Sequence, residues 1–337
     1  MSDMRLHHIT PSGMVRLETL AEALAARARG GYLWVDCFQP SREELAALSG
    51  PFGIHAMSVE DCLDQDQIPK LEDFPRYSFI LFNAFSYDGR KLLVDEVDII
   101  LSEDCLITVS GNGPGKRRLL EDAERPKELE LAGVRRGPAF LMHVLLDHVV
   151  DRKFAAVATL EEQLNRAEES MLAELSRFKP GTLLRLRRDI LTLRKSLFHE
   201  REILVKICRK DSRFIDERAI YHYRDIYDHL AKFFELTESY REVVTSLMEM
   251  YLSMVNNQMA RLANDTNVSV RRLTLITTIF MPMTLIAGIG GMSEWSMMTG
   301  PSNWQLAYPA FLAAMALMGA VNYWFLKRLE ARNRSGS

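Results

Sequence analysis

Glycine and proline are both missing from an unbroken stretch of 100 residues, Thr182 to Met281. In a helix interior they cost about 1 and 3 kcal/mol relative to alanine. Their absence excludes a string of short elements there and predicts very long helices, with one loop around Lys210 to Asp216. Cysteine is scarce as well. Cys37, Cys62, Cys105 and Cys208 lie far apart without CxxC spacing, which excludes a disulfide framework or a zinc finger and predicts reduced thiols. The net charge is only −3, so no nucleic-acid partner is expected. A P-loop, a Rossmann fingerprint, a nucleophile elbow and HExxH are all lacking. The chain is therefore read as no enzyme, with no catalytic cofactor and no ATP drive. The start, MSDMRLHH, has no apolar signal-peptide core, so the N-terminal part is expected to stay in the cytosol.

Charge is missing from two further runs, Leu273 to Met292 and Leu306 to Leu326. Each is about the 20 residues that cross ~30 Å of hydrocarbon as a helix. Two spans and one short loop predict a transmembrane hairpin, in contact with membrane lipid. Arg261, Arg271 and Arg272 precede the first span, and Lys327, Arg328, Arg332 and Arg334 follow the second. The loop between them has no Lys or Arg and one acid, Glu294. The positive-inside rule then places both termini in the cytoplasm of a multi-pass protein, with Trp295, Trp304 and Tyr308 near the outer interface.

The first span is not uniformly apolar. Asn267, Val270, Thr274, Thr277, Met281, Thr284 and Gly288 recur at alternating steps of three and four, which is one helix face in a near-parallel bundle. Leu275, Ile276, Ile279, Phe280 and Ile286 make the opposite face apolar. Several copies around an axis could line a pore with the polar stripe. The bland alternative is that the threonines bond their own backbone carbonyls or pack against neighbouring helices. In a pore, hydroxyls of Thr274, Thr277 and Thr284 and the amide of Asn267 would offer neutral oxygens to a hydrated ion. Met281 and Leu273 would form apolar constrictions that close by dewetting.

The run LTLITTIFMPMTLIAGIGGM resembles the first membrane helix of the CorA-type divalent-cation transporters, the 2-TM-GxN superfamily. The residues that carry the likeness are Leu273-Thr274, Ile279-Phe280-Met281-Pro282-Met283-Thr284, Ile286-Ala287-Gly288-Ile289 and Gly291-Met292. The family's selectivity motif is Gly-Met-Asn; here it reads Gly291-Met292-Ser293, preceded by Gly290 where the family has Tyr. The resemblance implies an ion channel in the inner (plasma) membrane, passing Mg2+ with Co2+ or Ni2+ as mimics. Its zinc-transporting branch implies Zn2+ instead. It also implies a homopentamer around one pore and regulatory divalent cations between cytosolic domains. With Ser293 in the motif, capture at the mouth becomes weaker or wider, or shifts to Glu294.

Upstream, residues 1–140 read as a cytosolic α/β domain. Strand-like runs are Tyr32–Phe38, Tyr77–Tyr87, Val94–Leu101 and Cys105–Val109. Ser41 and Glu44 have capping-box spacing and open a helix to about Ser49, and Asp88-Gly89 marks a hairpin turn. Trp34-Val35-Asp36, Gly53-Ile54-His55, Val59-Glu60-Asp61, Ile68-Pro69-Lys70-Leu71-Glu72 and Asp95-Glu96-Val97-Asp98-Ile99 resemble the family's cytosolic domain more loosely. Residues 141–272 read as a long helical stalk, broken at Pro180-Gly181, and 273–337 as the hairpin with spans at about 273–292 and 306–326 and a short basic cytosolic tail. The expected fold is thus an α+β cytosolic domain, long stalk helices and a two-helix transmembrane hairpin, forming a funnel-shaped homo-oligomer. A helix from about Asp216 to Ala287 would be on the order of 100 Å long, able to carry a tilt from the cytosol to the membrane.

Metal-ligating candidates outside the span are few. Glu60 and Asp61 begin an acidic stretch with Asp64 and Asp66 that otherwise reads as a solvated loop. His222, Asp225 and His229 fall at i, i+3 and i+7, a pattern that suits zinc or a wet, charge-paired face. His143 and His148, five apart, are given no role. A membrane-anchored metal sensor or scaffold that conducts nothing is the competing reading. The polar stripe argues against it, since an anchor gains nothing from hydroxyls facing lipid.

Overall fold

The computed structural model of the chain describes residues 3–65, 67–89, 91–116, 118, 134–291, 300 and 303–334. Two compact units divide it, Met1–Tyr251 and Leu252–Ser337. The first is built on a mixed sheet whose strands are β1 (Asp3–Thr10), β2 (Gly13–Leu17), β3 (Tyr32–Phe38), β4 (Leu71–Asp73), β5 (Ser78–Asp88), β6 (Lys91–Leu101) and β7 (Cys105–Ser110). Their spatial order is β2-β1-β3-β7-β6-β5-β4. All neighbours are antiparallel except β3 and β7, which run parallel with Val35 opposite Ile107. Helices α1 (Leu20–Arg27), α2 (Arg42–Phe52) and α3 (Ala56–Asp61) precede the long helices α4 (Pro138–Ala173), α5 (Gly181–Cys208) and α6 (Glu217–Gly290).

Alternate residues of a strand face opposite sides, and here both sides are covered. Ile80, Phe82, Val97 and Ile99 pack with Phe140, Met142 and Leu146 of α4 and with Leu197, Leu204, Tyr223 and Ile226. Phe79, Leu81, Val35, Ile107 and Val109 pack with Ala23, Leu45, Leu48 and Val59 of the three short helices. That two-sided burial explains why β5 and β7 read as continuous apolar runs.

The capping box forms as the sequence predicts. Ser41 Oγ accepts from the Glu44 N–H at 3.2 Å, and Glu44 Oε2 accepts from the Ser41 N–H at 2.7 Å. The helix runs past Ser49 to Phe52 and stops at Gly53, whose φ of 66° is left-handed. The hairpin turn also shifts by one residue. Asp88 pairs with Lys91 as part of the ladder, and Gly89 follows Asp88 with φ 59°. Strands β1 and β2 and helix α1 were not read from the sequence, because β1 mixes His7, His8 and Arg5 among its apolar residues.

The loop expected near Lys210 falls between Cys208 and Glu217, and α6 then runs 74 residues without a break. Within the second unit, the remainder of α6 packs beside α7 (Trp304–Arg334). Both helices contain a stretch long and apolar enough to cross a membrane.

Candidate functional site

In the second unit, contact between the two apolar helices sorts the side chains of α6. Leu275, Ile279, Pro282, Met283 and Ile286 are partly covered. On α7 the partly covered positions are Ala307, Phe311, Met315, Gly319, Asn322 and Leu326, a regular stripe at helical spacing. Gly319 matters because a Cβ there would meet Met283 Sδ at 3.4 Å, so the two helices approach closely at that level.

The polar stripe lies elsewhere. Asn267, Val270, Leu273, Thr274, Thr277, Met281, Thr284 and Gly288 are all exposed in the single chain. At 3.6 residues per turn, Thr277, Thr284 and Gly288 fall roughly 180° from Ile279 and Ile286. A Cβ on Gly288 would have no atom within 4 Å.

The hydroxyls are engaged locally. Thr274 Oγ1 donates to Val270 O at 2.9 Å, Thr277 to Leu273 O at 2.9 Å, Thr278 to Thr274 O at 2.7 Å and Thr284 to Phe280 O at 2.8 Å. This is the back-bonding set out above as the bland alternative, and Thr159, Thr192, Thr245 and Thr266 make the same bond outside the apolar span. It has a chemical consequence. Once the hydroxyl hydrogen is given to the preceding turn, the oxygen's lone pairs remain as acceptors. At the end of α6 the Gly291 N–H donates to Ala287 O at 3.0 Å. Met292, Ser293 and Glu294, with Trp295, lie outside the described residues.

The metal-ligating candidates of the first unit fall apart into separate groups. Glu60 is exposed on α3, and Asp61 Oδ2 accepts from Lys70 Nζ at 2.8 Å. His229 Nε2 stands 3.8 Å from Asp225 Oδ2. His222 turns to the aromatic edge of Phe140 and to His143, with ring centroids 5.6 and 5.0 Å away. No three His, Cys, Asp or Glu side chains among the described residues are grouped to hold a metal ion. His143, assigned no role from its spacing, is therefore the neighbour of His222. Helix α4 brings it there, and no local pattern announces a pairing across 79 positions.

Burial first, and the neighbouring His222 second, push the His143 imidazole down to about 4, against a weaker upward pull from Asp225. The folded chain thus takes up this proton later than the unfolded chain does. Stability is full above the ordinary imidazole pKa of about 6.5 and declines as pH falls from there toward 4. Thermal midpoints of the full chain between pH 7.5 and 4.5 should show that decline, and His143→Phe should flatten it. An equal decline in the variant would assign the acid sensitivity to other groups.

Other motif acids have structural work. Asp36 is buried, accepts from Thr108 Oγ1 at 2.9 Å and pairs with Arg118 Nε at 2.8 Å. Asp95 Oδ1 accepts from the Gly115 N–H at 2.8 Å, and a Cβ at Gly113 or Gly115 would strike the Asp95 side chain.

Comparison with known proteins places this arrangement among ion transporters. The family described as CorA-like Mg2+ transporter protein matches residues 29–328. The cobalt/magnesium transport protein CorA of Thermotoga maritima is 29% identical over 300 residues, covering 88% of this chain and 82% of that protein. Among solved structures, the complete CorA magnesium transporter from Methanocaldococcus jannaschii superimposes with a TM-score of 0.66 at 22% identity, covering 96% of this chain and 97% of that one. The full-length CmaX protein gives 0.66 at 20%, with 97% of each chain covered. At these identities the two structures speak for the fold.

Proposed function

This chain belongs to the CorA-like Mg2+ transporter family, a family of ion transporters and not of enzymes, and from that premise we propose that it forms a passive pore for hydrated divalent cations. Mg2+ is the principal cargo and Co2+ its mimic. The pore is lined by the exposed stripe of α6 from several copies of the chain, in the number five that the resemblance implies. The hairpin of residues 273–337 sits in the inner membrane with both termini cytoplasmic. Residues 1–140 and 141–272 are the cytosolic domain and the stalk.

One observation carries this reading, the acceptor-only threonine stripe on the face turned away from α7. Mg2+ dehydrates reluctantly, so it travels with waters whose hydrogens point outward. A wall for that species needs acceptors and no charge strong enough to trap it. Thr274, Thr277 and Thr284 supply acceptors, because their hydrogens are already committed to carbonyls one turn back. The amide of Asn267 adds an oxygen at the cytosolic end. Met281 and Leu273 project apolar side chains from the same face and close the path by dewetting when the copies draw together. A 2+ ion crossing 100 mV gains roughly 4.6 kcal/mol, which suffices for inward flow without ATP. At the mouth, Gly291, Met292 and Ser293 stand where the family motif stands, with Glu294 beside them as the attracting charge. Glu60, Asp61, His222, Asp225 and His229 are the candidates for regulatory ions.

Uptake into proteoliposomes holding Mg2+- and Zn2+-sensitive dyes tests the proposal. Wild-type protein should admit Mg2+, and Thr284→Leu, which removes one acceptor ring, should cut that flux. Met281→Asp, which wets the constriction, should change it as well. Zn2+ entry without Mg2+ entry would replace the cargo. Silence for every divalent ion in an assembled oligomer would overturn the pore in favour of a sensor or scaffold.

A further inference from the structure

A cavity of about 250 Å3 lies in the first unit, bounded by β6, β7, the loop after α3 and one turn of α5. Its lining contains four polar side chains that are each more than nine-tenths buried, Asn83, Asp98, Ser110 and Ser196. Asp98 Oδ1, Ser110 Oγ and Asn83 Oδ1 have no hydrogen-bond partner among the described residues. Leaving a buried polar group unpaired costs about 1–3 kcal/mol, and more for a charged one.

The arrangement is held in place. Asn83 Nδ2 donates to Ser196 Oγ at 3.1 Å and its backbone N–H to Glu200 Oε1 at 2.9 Å, which fixes the amide and sends its oxygen the other way. Glu96 pairs directly across the sheet from Asn83 and accepts from the Gln67 N–H at 2.6 Å. Asp98 lies two residues further along β6, so both carboxylates leave the same side of the strand.

We propose that this cavity binds one hydrated hard divalent cation, with Mg2+ as its natural occupant, inside a single chain and apart from the membrane face. The donor set consists of oxygens, carboxylates from Asp98 and Glu96 and the neutral amide oxygen of Asn83, which is the chemistry of Mg2+ rather than of softer metals. Cys62 also lines the cavity. It is a single soft donor beside several oxygens, a poor match to the thiolate-rich sites that zinc prefers. Mg2+ retains several waters and takes one or two carboxylates, and six waters fill roughly 180 Å3 at liquid density. Water alone could hydrogen-bond the orphan oxygens but would leave the buried Asp98 carboxylate beside that of the half-buried Glu96. A cation satisfies the oxygens and cancels the charge together.

The site stands whether or not α6 lines a pore, so its test avoids transport. Mn2+, a paramagnetic stand-in, is titrated into the full chain in detergent, and bound ions are counted by electron paramagnetic resonance with Mg2+ as competitor. Asp98→Asn should lose one Mn2+ per chain, or weaken it by about tenfold or more. Asn83→Asp, which adds a carboxylate to the same lining, should tighten it and serves if Asp98→Asn does not fold. Equal counts and affinities in wild type and both variants would show that the cavity holds water only, and would overturn the proposal.

Discussion

Gly288→Leu should reduce Mg2+ influx to the level of empty liposomes while leaving the chain as stable as before, or more so. The position lies in a helix, where glycine is worse than alanine by roughly 0.5–1 kcal/mol, so a leucine favours the helix. Within the chain the new Cβ meets no atom within 4 Å. Nothing in the protomer resists the change. If the stripe faces the axis, one leucine from every copy converges on one level and fills the path with apolar side chains. The combination of lost flux and unchanged thermal midpoint separates a blocked pore from a misfolded protein. Gly319→Leu makes the opposite pattern, because it pushes on Met283 and pries the two helices apart. Undiminished influx through Gly288→Leu would mean that this face of α6 does not line the route.

Substituting either member of the pair Lys153–Glu200 should cost about 3–5 kcal/mol, a large share of the roughly 5–15 kcal/mol that holds an ordinary domain folded. Both side chains are fully buried, with Nζ and Oε1 2.9 Å apart. Lys153 also donates to Asn83 O and lies over the Phe85 ring, 4.7 Å from its centroid. Burial lowers the Lys153 pKa and Glu200 pulls it back, so each charge is tolerable only because of the other. Lys153→Met or Glu200→Leu alone strands a charge between the sheet and the helices. The double variant removes both and should recover most of the loss, since apolar replacement of a whole buried pair is often neutral or better. Chemical denaturation of the full chain measures all three. A double variant as unstable as the sum of the single ones would show that packing, not stranded charge, sets the cost.

What the sequence discloses follows the range of the interaction. Helix α6 was legible to within a few residues from the missing glycine and proline, and the capping box at Ser41 from spacing alone, because both are local. Strand β3 was read to the residue, since buried apolar runs announce themselves. The edge strand β2 and the three-residue β4 carry too little pattern for that. The stripe of α6 was legible as a periodicity, and the back-bonding of its threonines was one of two open alternatives. The contacts of His143 with His222, of Lys153 with Glu200 and of Asp98 with its cavity were not legible. Each joins positions that only the folded sheet brings together, and a lysine or aspartate destined for burial looks the same in sequence as one on the surface.

The single parallel seam of the sheet has a consequence for how the chain assembles. Strands β2, β1 and β3 are sequence neighbours joined antiparallel, and so are β4, β5, β6 and β7. Each half can zip up from short loops at small entropic cost. Only the β3–β7 pairing, Leu33 to Phe38 against Cys105 to Ser110, must close a loop of some 70 residues. During synthesis, the first half therefore waits with one edge of β3 bare until β7 has emerged. Among the strand pairings of the sheet, this junction has the largest sequence separation and is expected to close last. It is also fastened after the fact: Trp34 Nε1 donates to Thr108 Oγ1 at 3.2 Å across it, and Arg118 reaches back to Asp36. Two independently nucleated halves and a late rivet describe the kinetics of a sheet whose static picture is continuous.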